Sequence, residues 1–155
     1  MLGGYISDLE KGDVLKPVEY VLTPFMCNVY ANGVEETYEG FRSALCPAGR
    51  QMRPPTMVHA DKMHLLETNC LKERRIAGDM GPAARIHYEY YAKHHSPAYV
   101  GERLIVTGKI TDRYEKRGRT YIDYEMEVRT ADGRLVTTYF DKTLLKYAVE
   151  KEAGK

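Results

Sequence analysis

The chain has 155 residues, close to the usual size of one domain and long enough to bury roughly 70% of its unfolded surface, which argues against two full domains. Its 23 Lys+Arg against 22 Asp+Glu leave a formal charge of +1, so no global field draws it to nucleic acid or to an anionic membrane. The aromatic set is 13 Tyr, 3 Phe and no Trp, rings that are mostly apolar but carry hydroxyls needing a partner when buried.

Met1 to Asp8 has no basic region leading into an apolar core, and nowhere do 18 apolar residues run together. Cys27, Cys46 and Cys70 form no C-x-x-C pair and are odd in number, so neither a disulfide framework nor a thiolate metal site is implied. The expectation is a soluble, cytoplasmic chain folded as one domain over residues 1–155, with 1–8 and 149–155 frayed.

Val14 to Leu22 is a weakly patterned strand. Thr23-Pro24 then offers an N-cap and a proline at the first helical position, predicting a helix over Phe25 to Glu36. Gly40 to Pro55 is irregular and long enough to line a site. From Thr56 to Arg75, Met57, Ala60, Met63, Leu66, Cys70 and Leu71 recur at spacings of three and four, with Asp61, Lys62, Glu67 and Lys72 to Arg75 off that stripe. Gly78 and Gly81-Pro82 end this long helix.

Arg85 to Ala92 is a strand with Ile86, Tyr88 and Tyr90 on one side and His87, Glu89 and Tyr91 on the other. Leu104 to Thr111 is the next strand, joined through the polar turn Glu115 to Arg119 to Thr120–Thr130. There Ile122, Tyr124, Met126 and Val128 alternate with Asp123, Glu125, Glu127 and Arg129. Asp132-Gly133 is a hairpin signal, and Leu135 to Leu145 returns. One long helix against an antiparallel meander is an α+β layer solution. Tyr124 shares the apolar register and is expected inside, while Tyr91 and Tyr121 fall on the outer face and suggest a sheet covered by a partner subunit.

Several stretches together resemble the MaoC-like dehydratases, hotdog-fold proteins in which a curved antiparallel sheet of five to six strands wraps one long central helix. They are Gly12-Asp13 before the Thr-Pro helix start, Pro54 to His59 entering the long helix, Tyr99 to Leu104, Tyr114 to Tyr121, and Asp132-Gly133. The resemblance implies reversible hydration of an enoyl thioester, carried on coenzyme A or an acyl carrier, at the interface of a homodimer or of a heterodimer with a related hotdog chain. In active members the acid and base lie on an Asp-x-Asn-Pro-x-His stretch after the first helix. The corresponding Asn32 to Gly40 has carboxylates but no histidine.

A His-Gly pair at the start of the family's long helix is matched by His59-Ala60, where the Ala60 amide still offers an N–H to an oxyanion. His59 with Asp61 is the candidate catalytic pair, against the alternative of a capping histidine and an aspartate favouring the helix dipole. Arg53, Thr56 and Ala60 are the candidate substrate-binding residues, with Arg50 and Arg53 able to meet carrier phosphates. Lys116, Arg117 and Arg119 are either solubilising turn charge, the favoured reading, or a second group for carrier phosphates, and His64 reads as a surface residue. Glu35, Glu36 and Glu39 are either a solvated helix end or the home of a displaced base. His87, His94 and His95 lack metal-ligand spacing, and no metal or cofactor is called for. Beside a hydratase/dehydratase, two readings stay open. One is a non-catalytic acyl-binding subunit of a heteromeric hydratase; the other is a thioesterase using Asp61 or Glu67.

Overall fold

The computed structural model describes residues 6–70 and 85–145, so the end of the expected long helix and its Gly78 and Gly81-Pro82 stop lie outside the described residues. Among the described residues one strand, two helices and then four strands follow in order: β1 (Val14–Val21), α1 (Pro24–Gly33), α2 (Val58–Asn69), β2 (Arg85–His94), β3 (Arg103–Lys116), β4 (Arg119–Thr130) and β5 (Leu135–Leu145). The strands form one antiparallel sheet in the order β1-β3-β4-β5-β2, so β1 and β2 are its edges.

Local chemistry explains the connections. The Thr23 hydroxyl accepts the Met26 N–H at 3.2 Å with Pro24 at the first helical position, and α1 ends at Gly33, short of the expected Glu36. The β3–β4 hairpin turns on Arg117 and Gly118, both at positive φ (55° and 69°), the two-residue geometry that matches strand twist. Pro17 sits on edge strand β1, where the ladder slips between Leu15 and Val18. The Asn69 side chain replaces the missing ladder bonds, accepting from the Lys16 amide at 2.7 Å and donating to the Lys16 carbonyl at 3.0 Å. Ile6, inside the segment expected to fray, opens a short 3₁₀ turn and is fully buried.

Helix α2 lies on the inner face of the sheet, and its Leu65 packs against Gly108 of β3. A Cβ there would stand 2.8 Å from the Leu65 Cδ2. The buried face of the helix matches the expected one only in part, with Met57, Leu66 and Cys70 inside. Val58, Asp61, Lys62, Leu65, Leu66 and Asn69 are buried, whereas Ala60 and Met63 are exposed. Two charged residues expected off the apolar stripe are therefore inside, and each is held by polar partners.

On the sheet, Ile122, Tyr124, Met126 and Val128 are buried as the alternation requires. The face assignment in β2 is corrected by a bulge. Its ladder with β5 slips between His87 and Glu89, and an extra residue flips the faces that follow. His87 and Tyr90 thus share the inner face, their rings 5.1 Å apart, while Tyr88 meets Tyr121 on the outer face at 5.6 Å. Tyr121 also stacks on Tyr114, and Tyr91 is 65% exposed.

Candidate active site

Two polar clusters stand on opposite sides of α2, because positions 59 and 61 are about 200° apart around a helix. The first joins the loop before the helix to β1. The Arg53 guanidinium pairs with one Asp61 oxygen, and the Tyr20 hydroxyl donates to the other at 2.5 Å. Arg53 and Asp61 are each 3% exposed. Burial by itself lowers the Arg53 pKa, but Asp61 and the Tyr20 oxygen hold it above its ordinary value; burial and then Asp61 raise that of Tyr20. This is a lock between loop, helix and strand.

The second cluster centres on Asp141, fully buried on the inner face of β5. Its carboxylate accepts from the Tyr139 hydroxyl at 2.7 Å and the Thr143 hydroxyl at 2.7 Å. It also lies 2.8 Å from His87 Nε2 and 3.3 Å from Lys62 Nζ. Lys62 Nζ is 3.2 Å from His87 Nδ1, so an ammonium on one ring nitrogen and a carboxylate on the other assign the neutral tautomer with its proton on Nε2. Burial lowers the His87 pKa, with Asp141 opposing and Lys62 adding to the fall. Four donors satisfy a charge that would otherwise be costly to bury.

His59 completes this cluster from the first turn of α2. Its Nδ1 faces the Tyr139 hydroxyl at 3.5 Å, and its ring meets those of Tyr90 and Tyr139 edge-on at 4.9 and 5.6 Å. Burial lowers the His59 pKa, and Lys62 and His87 lower it further against Asp141. With Nδ1–H turned to Tyr139, the Nε2 lone pair is the basic end of a chain His59–Tyr139–Asp141. Burial and the Asp141 hydrogen bond raise the Tyr139 pKa, keeping that link a hydroxyl.

The structure therefore does not bring His59 and Asp61 together. Asp61, with both oxygens engaged by Arg53 and Tyr20, is also one of the two carboxylates a thioesterase reading would use; the other, Glu67, is half-buried on α2. Arg53 is buried away from any carrier phosphate, and Arg50 is the exposed guanidinium of that loop, 4.2 Å over the Tyr99 ring. Thr56 and Ala60 are exposed, one helical turn apart on either side of His59. No side chain caps α2; the Val58 N–H is taken by the Pro55 and Thr56 carbonyls of the preceding 3₁₀ turn, and the amides that follow in the first turn have no acceptor within the helix.

Glu36 accepts the Tyr38 N–H at 2.8 Å, and Glu35 and Glu39 are exposed. His94 bonds Thr137 at 3.2 Å, His95 bonds Thr138 at 3.0 Å, and His64 is exposed. Among the described residues no three His, Cys, Asp or Glu side chains are placed to hold a metal. Cys27, Cys46 and Cys70 are buried and free, and burial pushes the Cys27 thiol up to about 11, so it is inert as a nucleophile near neutrality. No helix among the described residues is long and apolar enough to cross a membrane.

The sequence pattern missed Lys62, His87 and Asp141. The available signal was Tyr139-x-Asp141-x-Thr143, polar residues continuing one face of a strand whose neighbour β4 is apolar on that face.

The sequence matches no family model and no curated protein. Its fold is that of solved hotdog proteins. The MaoC-like dehydratase from Rhodospirillum rubrum superposes with a TM-score of 0.68 at 15% identity, over 92% of this chain and 97% of that one. The HadBC (3R)-hydroxyacyl-ACP dehydratase complex from Mycobacterium tuberculosis gives 0.69 at 16% identity, over 86% and 96%. The ChsH1–ChsH2 complex from the same organism gives 0.66 at 12%, over 88% and 98%. The hotdog architecture expected from the sequence is thereby confirmed.

Proposed function

We propose that this chain is a MaoC-like hydratase/dehydratase that adds water to a 2-enoyl thioester, or removes it from a 3-hydroxyacyl thioester, with His59 moving the proton. The observation carrying this reading is the neutral His59 imidazole at the N-terminal end of the central helix, backed by Tyr139 and the buried Asp141, in a fold shared with dehydratases.

In the hydration direction His59 Nε2 takes a proton from water as the water oxygen bonds to C3. The double-bond electrons move toward the thioester carbonyl oxygen, and the enolate so formed takes its C2 proton from the imidazolium. One water is consumed and His59 returns to its neutral form. Asp141, through Tyr139, stabilises the transient imidazolium. The Ala60 N–H, at the positive end of α2, is the donor for the enolate oxygen, and the exposed Thr56 one turn earlier is a further substrate contact. Incubating the pure protein with crotonyl and longer enoyl thioesters and following loss of the enoyl absorbance tests the reading. Turnover supports it, and none at any chain length contradicts it.

A second reading is favoured by the segment after α1, where Glu36 serves a backbone amide and no histidine is present. In it, the chain shapes the acyl site of a heteromer while a related hotdog chain supplies the acid and base, an arrangement consistent with similarity to two hotdog complexes. Association in either form is supported by edge strand β2, which exposes Ile86, Tyr88, Tyr90 and Tyr91. Co-purification with a chain carrying an intact Asp-x-Asn-Pro-x-His stretch, and activity only in that pair, identifies this second case.

A further inference from the structure

The proton steps proposed for His59, Tyr139 and Asp141 leave Lys62 and His87 without a part. Lys62 stands one helical turn from His59 on the same side of α2, a spacing that puts the two Cβ atoms about 5–6 Å apart. It is 9% exposed, a costly place for an ammonium. Its Nζ is held from three sides, 3.2 Å from His87 Nδ1, 3.3 Å from Asp141 and 5.8 Å from the centre of the Tyr139 ring. A buried ion pair is often no more stabilising than apolar residues of the same volume, so stability alone gives no reason for a charge here.

The geometry gives the charge a use. With the His87 Nε2–H turned to Asp141 at 2.8 Å, the one lone pair of the ring is on Nδ1, and the Lys62 ammonium already donates to it. A second proton on Nδ1 would meet that ammonium head-on. Without Lys62, an imidazole this close to a buried carboxylate is where a proton would bind. Around His59 the titratable and charged groups are Lys62 on its own helix, His87 and Tyr90 from β2, and Tyr139 and Asp141 from β5. Lys62 already balances Asp141, so a resting imidazolium at either ring would be an unbalanced charge. In agreement, burial is the largest cause of the lowered His59 pKa and Lys62 the next.

We infer that Lys62 is a positioning residue: its fixed ammonium takes the place of a proton on His87, locks that ring's Nε2–H onto Asp141, and leaves His59 as the open base of the cluster. The use made of His59 rests on the hydratase/dehydratase reading; the placement of the protons does not. Heteronuclear NMR of the histidine ring nitrogens, in the wild-type protein and in Lys62→Met, reads that placement. The pH profile of kcat/KM for a crotonyl thioester reads its consequence.

In the wild-type protein at about pH 6.5, the ordinary histidine value, His87 is expected to carry a proton on Nε2 and none on Nδ1. In Lys62→Met the two rings together are expected to bind a further proton at that pH, on His87. The acid limb of kcat/KM then moves to higher pH, because a His59 facing Asp141 without the ammonium holds its proton longer and cannot take one from water. A lysine that only supported the fold would lower rate or stability and move neither reading. A doubly protonated His87, or one bare at Nε2, in the wild-type protein overturns the inference even if the variant does not fold. Identical ring titrations in the two proteins also overturn it. The expected ring protonation with no turnover by either protein overturns the hydratase reading and leaves the proton placement standing.

Discussion

Replacing Asp61 with Ala removes the acceptor for Arg53 and Tyr20 together. Arg53 is then a cation 3% exposed with no counter-charge, and the Tyr20 hydroxyl loses its 2.5 Å partner. Breaking a buried pair from one side costs about 3–5 kcal/mol, because the surviving charge stays buried. Against a total stability of about 5–15 kcal/mol, this is a large share of the fold's margin. With a urea slope of about 2 kcal/mol/M, the midpoint falls by about 1.5–2.5 M. Replacing all three groups, as Tyr20→Phe, Arg53→Met and Asp61→Leu, removes the orphaned charge along with the pair and is expected to recover most of the loss. Urea unfolding followed by circular dichroism reads both. A single variant that loses less than about 1 kcal/mol, or a triple variant less stable than the single one, refutes the argument that the cluster is a buried lock.

Acid is expected to act through the two histidines whose pKa values are lowered in the fold. His59 and His87 stay neutral when folded but bind protons near the ordinary value of about 6.5 when unfolded, so stability falls as pH drops from there toward their folded values. Replacing His59 and His87 together with Gln should flatten that part of the stability profile; an unchanged slope contradicts it. Gly108→Ala puts a Cβ 2.8 Å from Leu65 Cδ2, 3.1 Å from the Glu125 carbonyl and 3.2 Å from Leu15 Cδ1. Overpacking of this kind costs about 1–3 kcal/mol, and a Tm unchanged by the substitution would show that α2 does not seat against β3 here.

The strands were legible because a half-buried antiparallel sheet writes its period into the chain. Ile122 to Val128 alternate, and turn chemistry at Gly118 and Gly133 closes the hairpins between β-rich runs. The face of α2 was legible only in part. Met57, Leu66 and Cys70 are inside, but Ala60 and Met63 are apolar at the surface while Asp61 and Lys62 are charged inside, and the partners that make their burial tolerable come from the loop before the helix at Arg53 and, far away in sequence, from Tyr20 and Asp141. One inserted residue in β2 likewise moved His87 to the face of Tyr90, since a slip of one residue reverses a strand's two sides. His59 could be singled out as a candidate because it stands at the helix start; Asp141 could not, because nothing near it in the chain marks its strand position as special.

The most direct test of the central claim is the initial rate of crotonyl-thioester hydration by the wild-type protein and by His59→Gln, measured at equal concentration with both shown to be folded. The account predicts measurable wild-type turnover and a fall of about 10²- to 10⁴-fold in the variant, the usual contribution of a positioned acid/base. Equal rates in the two proteins would contradict it.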